Sequence, residues 1–249
     1  MNNREESSAK FYCIHGNLQS CEVWEPFRGK FQYQGTTVSL ECEDLLQSTA
    51  AGFQDWTKSF CAKVEAEASG DKPFLLGYSL GGRLALHALL ERPDLWRGVI
   101  LVAADTGLAD SEEKQRQLQN DLQWADRFLT EDLEELLAEW DALPVFSKFP
   151  NSAPRDRTQL NPEKIAQIFD RFSKGRQEDM LPALKQIRSA PLLYLSGAMD
   201  KKYTQLGKEL AECCPSVQHK IIPNAGHRVP WENPVGFVKT TQAFIDSLG

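Results

Sequence analysis

The sequence lacks the features that mark membrane-spanning, nucleic-acid-binding and secreted proteins. No apolar run approaches the ~18 residues that a membrane-spanning helix requires, so we expect no insertion into a membrane. Lysine and arginine number 28 against 35 aspartates and glutamates, and the net charge of −7 argues against general nucleic-acid binding. Residues 1–10 contain no apolar segment of the signal-peptide type. We therefore expect a cytoplasmic protein, and a monomer.

Cysteine is also scarce, and its spacing matches no metal site. The six cysteines form no CxxC pair and no other pattern of metal ligands. Reduced thiols are the usual state of cysteine in the cytoplasm. We therefore expect reduced thiols throughout, no metal and no cofactor.

What the sequence does contain is an alternation of short apolar runs and longer segments of helical periodicity. This alternation predicts an α/β fold with a mostly parallel sheet and right-handed crossovers. With 249 residues, an α/β chain of this kind fits a single domain. The predicted strands lie at 11–14, 37–40, 73–76, 98–103, 191–196 and 217–222, and the predicted helices at 49–68, 80–90 and 234–248.

A Gly-x-Ser-x-Gly motif occupies the junction between the third predicted strand and the helix that follows. It reads Gly77-Tyr78-Ser79-Leu80-Gly81. The glycines are needed because a Cβ at either position would collide with the neighbouring element in so tight a turn. The turn exposes the serine hydroxyl, and the helix N-terminus behind it offers N–H groups to a developing anion. Ser79 is thus the predicted catalytic serine.

A catalytic serine requires a histidine to accept its proton and a carboxylate to orient that histidine. His227 suits this role best, because it lies in a loop between the last predicted strand and the final helix. Asp200 follows the strand at 191–196 and falls between serine and histidine in chain order, as the motif requires. Asp105, after the strand at 98–103, is the rival acid, and we favour Asp200.

Two backbone N–H groups are expected to stabilise an oxyanion beside Ser79. His15-Gly16 ends the first predicted strand, and the loop after this strand supplies one donor in proteins with a nucleophile elbow. The second donor is the N–H of the residue after the serine. These donors would be the amides of Asn17 and Leu80. Elbow, triad and oxyanion loop together indicate the α/β-hydrolase fold.

One block, 111–187, interrupts the alternation because it contains no good strand pattern. Thr130 is the predicted N-cap of a helix whose first turn is acidic, and Asn161 is the predicted N-cap of another that begins with Pro162. The block is either a helical insertion with its own small core or a lid over the edge of the sheet that carries Ser79. Its position favours the lid. We therefore predict a core at 1–110 and 188–249 and a helical lid at 111–187.

The chain resembles the 2-succinyl-6-hydroxy-2,4-cyclohexadiene-1-carboxylate synthases of menaquinone and phylloquinone biosynthesis. The resemblance runs from about residue 11 to the C-terminus, and its more specific parts are the arginine after the double glycine and the Trp-x-x-x-Pro-Val-Phe pattern. It is carried by Gly77-Tyr78-Ser79-Leu80-Gly81-Gly82-Arg83, Gln123-Trp124, Arg127-Phe128-Leu129-Thr130-Glu131, Trp140, Pro144-Val145-Phe146, Ala225-Gly226-His227 and Glu232-Asn233-Pro234.

The resemblance implies a carbon–oxygen lyase that eliminates pyruvate from a succinyl-enolpyruvyl-hydroxy-cyclohexene carboxylate, with the triad serine as the base. The substrate is a small polycarboxylate, so its pocket needs cations, and arginine suits carboxylates well. The substrate-binding residues implied by the resemblance are Arg83, Tyr78, Trp140, Arg171 and His15.

The chain also departs from the family pattern. The family's Asp-x-Pro-Gly-His-Gly-x-Ser loop is replaced by Glu-Cys-Glu-Asp-Leu-Leu-Gln-Ser at 41–48, and a second lid arginine falls on Gln117, next to Arg116. Two alternatives to the lyase therefore stay open. One is a carboxylic-ester or thioester hydrolase in which Ser79 is acylated. The other is a catalytically silent member of the fold that serves as a receptor or interaction module.

Overall fold

The computed structural model describes residues 9–68 and 70–249, so the segment 1–8 of the predicted core lies outside the described residues. The strands are β1 (Lys10–Ile14), β2 (Gln32–Tyr33), β3 (Thr36–Thr37), β4 (Ser39–Glu43), β5 (Phe74–Tyr78), β6 (Gly98–Val102), β7 (Leu192–Gly197) and β8 (Val217–Ile222). The α-helices are α1 (Phe53–Glu67), α2 (Leu80–Glu91), α3 (Ser111–Thr130), α4 (Leu133–Asp141), α5 (Pro162–Arg171), α6 (Leu181–Leu184), α7 (Lys201–Cys213), α8 (Val229–Glu232) and α9 (Pro234–Asp246).

Six strands form a parallel sheet in the order β4-β1-β5-β6-β7-β8. Strands β5, β6 and β7 lie at its centre and are buried along their whole length. Such burial explains their nearly continuous apolar sequences, because helices cover both faces of the sheet. Since all six strands are parallel, their carboxyl ends share one edge, where open α/β sheets bind their ligands.

Alternate residues of each central strand enter two different cores. Leu75 of β5 packs into the core that contains Trp56 of α1 and Leu84 of α2. Leu76, the next residue, enters the core on the opposite face, which contains Phe237 of α9. This alternation follows from the two-residue period of a strand, and it fixes the sheet between two helical layers.

The second strand of the sheet begins two residues later than predicted, at Ser39 rather than Thr37. Thr37 belongs instead to the short antiparallel pair β2-β3, where it lies opposite Gln32. The backbone N–H of Val38 then donates to the carbonyl of Phe31 at 2.9 Å. Thr37 and Val38 therefore use their backbone hydrogen bonds in this hairpin and do not extend β4.

The segment 111–187 is helical, and the described structure contains no strand in it. The predicted capping role of Thr130 is wrong: α3 continues through Thr130, whose hydroxyl donates to the Asp126 carbonyl at 2.9 Å. The cap of α4 is Asp132, which accepts from the backbone N–H of Glu134 at 2.9 Å. Asn161 does cap α5, with Pro162 in its first turn. Among the described helices, none is both long and apolar enough to cross a membrane.

The expectation that every thiol is reduced is wrong for Cys21 and Cys42, which form a disulfide. A short 3-10 helix, Cys21–Phe27, packs beside β4 and brings the two Cα atoms to 5.6 Å. That separation lies within the usual range for a disulfide, and the sequence could not reveal it because the contact is made through the fold. The free cysteines are Cys13, Cys61, Cys213 and Cys214.

Candidate active site

The turn after β5 places Ser79 at the carboxyl edge of the sheet. Its backbone has φ 52° and ψ −110°, a strained conformation typical of the nucleophile elbow. Gly81 permits the turn, because a Cβ there would lie 2.1 Å from the carbonyl oxygen of Ile14. The glycines of the motif therefore have the steric role that the sequence predicts.

Ser79, His227 and Asp200 form a connected hydrogen-bond chain. The Ser79 hydroxyl donates to His227 Nε2 at 3.2 Å, and His227 Nδ1 donates to Asp200 Oδ2 at 2.7 Å. His227 and Asp200 are buried, with 3% and 7% of their surface exposed. Asp200 is held by the start of α7, where its other oxygen accepts from the backbone N–H of Tyr203 at 3.3 Å. The three residues come from three separate loops, after β5, β7 and β8.

The surroundings of His227 favour its neutral form. Burial lowers the pKa of this imidazole, and the nearby charges of Arg228 and Lys202 lower it further. The hydrogen bond and the charge of Asp200 act in the opposite direction without cancelling the effect of burial. In a neutral ring whose Nδ1–H donates to Asp200, Nε2 is free to accept the serine proton.

Asp105, the rival acid, has different partners. Its Oδ2 accepts hydrogen bonds from Lys174 Nζ and Lys202 Nζ, both at 3.1 Å. Burial alone would raise the pKa of Asp105, and the two ammonium groups more than offset this, so its pKa lies below the usual range. The structure therefore places Asp200, and not Asp105, against His227. Two lysines thus share this one carboxylate.

The two predicted oxyanion donors lie next to Ser79. Leu80 is the first residue of α2, where backbone N–H groups have no partner within the helix. Asn17 borders the same cavity as Ser79. The neighbouring N–H of Gly16 is already occupied, because it donates to the side chain of Gln19 at 2.9 Å. This bond holds the loop after β1 in place beside the serine.

Ser79 and His227 open into the larger of the two cavities beside the triad, which is called the large cavity. Its volume is about 380 Å³, the size of a small-molecule site. One wall is aromatic and comes from the segment 111–187, and the polar wall contains three cations and two carboxylates. The aromatic residues of that segment are Trp124, Trp140, Phe146, Phe169 and Phe172; the charged residues are Arg83, Lys174, Lys202, Asp105 and Asp121.

Arg83 contributes a buried positive charge to this cavity. It lies one turn into α2 and is 9% exposed. Its Nη1 donates to Oε1 of Gln177 at 3.3 Å, and its guanidinium carbon lies 5.6 Å from the ring centre of Phe53. Within the part of the chain that the structure describes, it forms no salt bridge. Burial lowers its pKa, and the charges of Asp121 and Asp105 act in the opposite direction. Arginine remains charged at neutral pH, so the site offers a ligand a buried cation with no direct ion-pair partner among the described residues.

Two of the aromatic residues named by the resemblance lie next to the triad. Trp140 borders the cavity and packs edge-on against Trp124. Tyr78 is 3% exposed and packs against His227, with 5.6 Å between the ring centres. Trp140 can therefore contact a ligand in the large cavity, while Tyr78 packs against the histidine ring and lines a smaller cavity beside Ser79.

Arg171 and His15 do not line this cavity. Arg171 borders a different cavity of about 590 Å³, where its Nη1 donates to the Ala50 carbonyl at 3.3 Å. The other face of helix α5, which carries Phe169, lines the cavity that contains Ser79. His15 is 1% exposed and accepts the backbone N–H of Leu45 on Nε2 at 3.0 Å. It ties the loop after β1 to the segment 41–48, and no residue of that segment lines the large cavity in the described structure.

The sequence reasoning missed Lys174 and Lys202, and it considered Asp105 only as a rival to Asp200. Lys202 is the second of two lysines directly after Asp200, a proximity that could have suggested it. Lys174 had no such signal, because a turn between α5 and α6 brings it to the site. Among the described residues, no cluster of histidine, cysteine, aspartate and glutamate has an arrangement that could hold a metal ion.

Comparisons with known proteins agree with this architecture. The model of the alpha/beta hydrolase fold family matches residues 42–234. The structure of MenH from S. aureus has a TM-score of 0.87 at 22% identity and covers 96% of this chain and 94% of its own. A thermophilic esterase from Thermogutta terrifontis has a TM-score of 0.70 at 19% identity, covering 97% and 90%. At these identities the structural likeness shows the fold alone, and the predicted fold class is confirmed.

Sequence relatives narrow the family further. A 2-succinyl-6-hydroxy-2,4-cyclohexadiene-1-carboxylate synthase from Serratia proteamaculans is 30% identical over 235 residues, covering 92% of this chain and 86% of the relative. A relative of the same name from Escherichia coli O1:K1 is 31% identical over 231 residues, covering 90% and 89%. The chain therefore belongs to the alpha/beta hydrolase fold family and, within it, to the 2-succinyl-6-hydroxy-2,4-cyclohexadiene-1-carboxylate synthases.

Proposed function

We propose that this enzyme is a carbon–oxygen lyase that releases pyruvate from a succinyl-enolpyruvyl-hydroxy-cyclohexene carboxylate and leaves 2-succinyl-6-hydroxy-2,4-cyclohexadiene-1-carboxylate. The observation that carries the proposal is the buried positive charge of Arg83 on the wall of the cavity beside the triad. An acidic protein with a net charge of −7 places cations around one cavity, which suits a polycarboxylate ligand. The family relationship supports the same reaction.

In this reaction Ser79 acts as a base. His227 Nε2 takes the hydroxyl proton as the serine oxygen removes a proton from the ring of the substrate. The electron pair of the broken C–H bond forms the new conjugated double bond, and the C–O bond to the enolpyruvyl group breaks. The departing enolate takes up the proton that His227 carries and tautomerises to pyruvate. This transfer leaves His227 neutral and restores the triad.

The cations around the cavity hold the substrate and stabilise its developing charge. Arg83 lies one turn from Ser79 and can bind a carboxylate with two N–H groups, because only one of its nitrogens has a hydrogen-bond partner. Lys174 and Lys202 share Asp105 as their ion-pair partner, and the three cations and two carboxylates of the cavity leave one net positive charge. Preorganised charges in a buried site are usually the largest contribution to catalysis.

Ester or thioester hydrolysis is the second candidate. It is supported by the positions of Asn17 and Leu80 beside Ser79, where their amides could bind a tetrahedral oxyanion. In this reaction Ser79 would attack a carbonyl and become acylated. The aromatic and cationic lining of the large cavity favours the lyase, because a simple ester needs no cluster of cations.

We also propose that the segment 111–187 acts as a lid over the core formed by 1–110 and 188–249. It supplies the aromatic wall of the cavity that Ser79 enters, and exclusion of water would strengthen the charge contacts inside. The enzyme acts on a small molecule. We further propose that it does so as a cytoplasmic monomer with no role for nucleic acid, and light scattering during gel filtration tests the oligomeric state.

A side-by-side assay tests the proposed function. Purified enzyme is supplied with the enolpyruvyl substrate, and pyruvate is detected through lactate dehydrogenase. The same enzyme is supplied with p-nitrophenyl acetate. The lyase predicts pyruvate release far above the uncatalysed rate and little ester turnover, and both depend on Ser79. Rapid ester turnover with an acyl-enzyme burst and no pyruvate release would replace the lyase with the hydrolase.

A further inference from the structure

A second, smaller cavity borders the catalytic serine. It has a volume of about 20 Å³, which is room for one oxygen-sized group. Ser79 and Asn17 are among the four residues that line both this cavity and the large one. Its remaining wall includes Arg155 and Arg228, which do not line the large cavity. A ligand that reaches Ser79 can therefore extend a single oxygen towards these two arginines.

Arg228 directly follows His227 and is almost completely buried, with 3% of its surface exposed. Its Nη2 donates to Asp141, and its guanidinium carbon lies 4.0 Å from the ring centre of Phe146. Its Nη1 is buried and has no hydrogen-bond partner. A buried donor of a charged group that lacks a partner is unfavourable, so this nitrogen is well suited to an incoming anion.

Two arginines meet one carboxylate beside the small cavity. Arg155 donates to both oxygens of Asp141, at 3.0 and 3.1 Å, and Arg228 donates to the same carboxylate. Glu232 is a second carboxylate near Arg228, whose charge lowers the pKa of Glu232 against the larger, opposing effect of burial. In the described structure neither carboxylate accepts a hydrogen bond from Nη1 of Arg228. The small cavity therefore has on its wall a guanidinium whose Nη1 still lacks an acceptor.

We propose that Arg228 binds a carboxylate of the substrate through Nη1, with one carboxylate oxygen in the small cavity. Ser79 then lies where two cationic regions meet: Arg228 in the small cavity and Arg83 with Lys174 in the large one. The matching ligand is a compact alicyclic polycarboxylate with one carboxylate next to the reacting carbon. The assignment of this carboxylate to the substrate rests on the proposed function, since that reaction supplies such a substrate.

A purely structural role for Arg228 makes a different prediction. Through Asp141, Arg228 also joins helix α4 to the loop that carries His227. If the ion pair served only to hold these elements together, Asp141→Asn would impair the enzyme as much as loss of Arg228. If Arg228 binds substrate, Asp141→Asn keeps the guanidinium and removes a competing carboxylate. Substrate affinity is then kept or improved.

The first experiment compares the kinetics of pyruvate release in four variants. Arg228→Met should lower kcat/KM roughly ten- to a hundredfold, the effect of losing one charge-assisted contact. Arg228→Lys should recover part of this loss, while Asp141→Asn should stay within about threefold of wild type in kcat/KM and show an equal or lower KM. Arg116→Met is the control, because this helical arginine is 67% exposed and lines neither cavity. Equal losses in Arg228→Met and Asp141→Asn, or no loss in Arg228→Met, would overturn the proposal.

A binding measurement separates this inference from the proposed function. Propane-1,2,3-tricarboxylate serves as an unreactive probe, and its effect on the melting temperature needs no turnover. It should raise the melting temperature of the wild type and of Arg116→Met clearly more than that of Arg228→Met. If wild type released no pyruvate, the lyase assignment would fail while this comparison still decided the anion site. Equal stabilisation of wild type and Arg228→Met would show that Arg228 binds no carboxylate.

Discussion

Replacing Arg83 by methionine should separate activity from stability. Methionine keeps the unbranched stem of the arginine side chain as far as Nε and removes the rest of its charged group. The structure shows that this charge is buried, with a single neutral partner in Gln177 at 3.3 Å. A buried charge without a direct ion-pair partner is costly to desolvate, and a carboxylate of the substrate would supply such a partner.

The magnitude follows from that environment. A hydrogen bond to a charged group contributes about 1.5–3 kcal/mol, so Arg83→Met should lower kcat/KM by roughly 10- to 150-fold. The free energy of unfolding should stay the same or rise by about 1 kcal/mol, because functional sites commonly retain groups that reduce stability. Arg83→Lys should be intermediate in activity, since lysine keeps the charge and loses the bidentate geometry.

The assay is pyruvate release combined with urea denaturation of the same protein preparations. Arg116→Met serves again as the matched control, and neither of its properties should change. Unchanged activity in Arg83→Met would refute the assignment of Arg83 to the substrate. A parallel fall in activity and stability would show instead that Arg83 supports the fold, in which case its loss of activity says nothing about substrate binding.

Three further changes test the structural basis of the site. Burial and the charge of Arg83 lower the pKa of His87 to about 4. The free energy of unfolding should therefore fall by roughly 2–3 kcal/mol between pH 6.5 and about pH 4, because the unfolded state binds the proton more readily in this range. His87→Gln should remove this dependence on pH from the denaturation profile, and an unchanged profile would contradict the prediction. Gly81→Ala forces a Cβ to 2.1 Å from a backbone oxygen and should lower the melting temperature by about 6–12 °C, whereas an unaffected melting temperature would mean that the turn can relax. Asp105→Asn leaves its buried lysine partner unpaired and should cost about 2–4 kcal/mol in urea denaturation, an effect that should be absent if solvent screens the pair.

Local sequence patterns were sufficient for the sheet and for the position of the candidate triad. The central strands are apolar on both faces, so their run of apolar residues marks them without any knowledge of the fold. Asp200 and His227 each follow a strand of the same parallel sheet, and the carboxyl ends of parallel strands meet at one edge. The structure accordingly brings both residues to Ser79.

Features that depend on tertiary contacts could not be predicted. Cys21 and Cys42 meet only after the loop from β1 has folded over β4. Arg171 lies on the face of α5 that turns away from the large cavity, and helical spacing alone does not tell which face meets the serine. Arg228 is adjacent to His227 in sequence, but its significance depends on Asp141, which is brought to it by the segment 111–187.

The exact ends of helices also depend on tertiary structure. Thr130 and Asp132 are both good capping residues, and they lie two positions apart. The sequence favours either one, whereas the structure selects Asp132 because its carboxylate accepts two backbone N–H groups, those of Glu134 and Glu135. The Thr130 hydroxyl instead donates to the carbonyl of Asp126 within its own helix. Competition of this kind is decided by how the chain leaves α3.

The measurement that tests the lyase assignment most directly is pyruvate release by wild type and by Ser79→Ala under identical conditions. Ser79 as the base predicts rapid release by the wild type and a fall of roughly a thousandfold or more in kcat for the variant, with stability unchanged. Substrate should still bind, because the cations of the large cavity remain in place. Comparable release by both proteins would show that Ser79 is not the base, and absence of release from well-folded wild type would contradict the lyase itself.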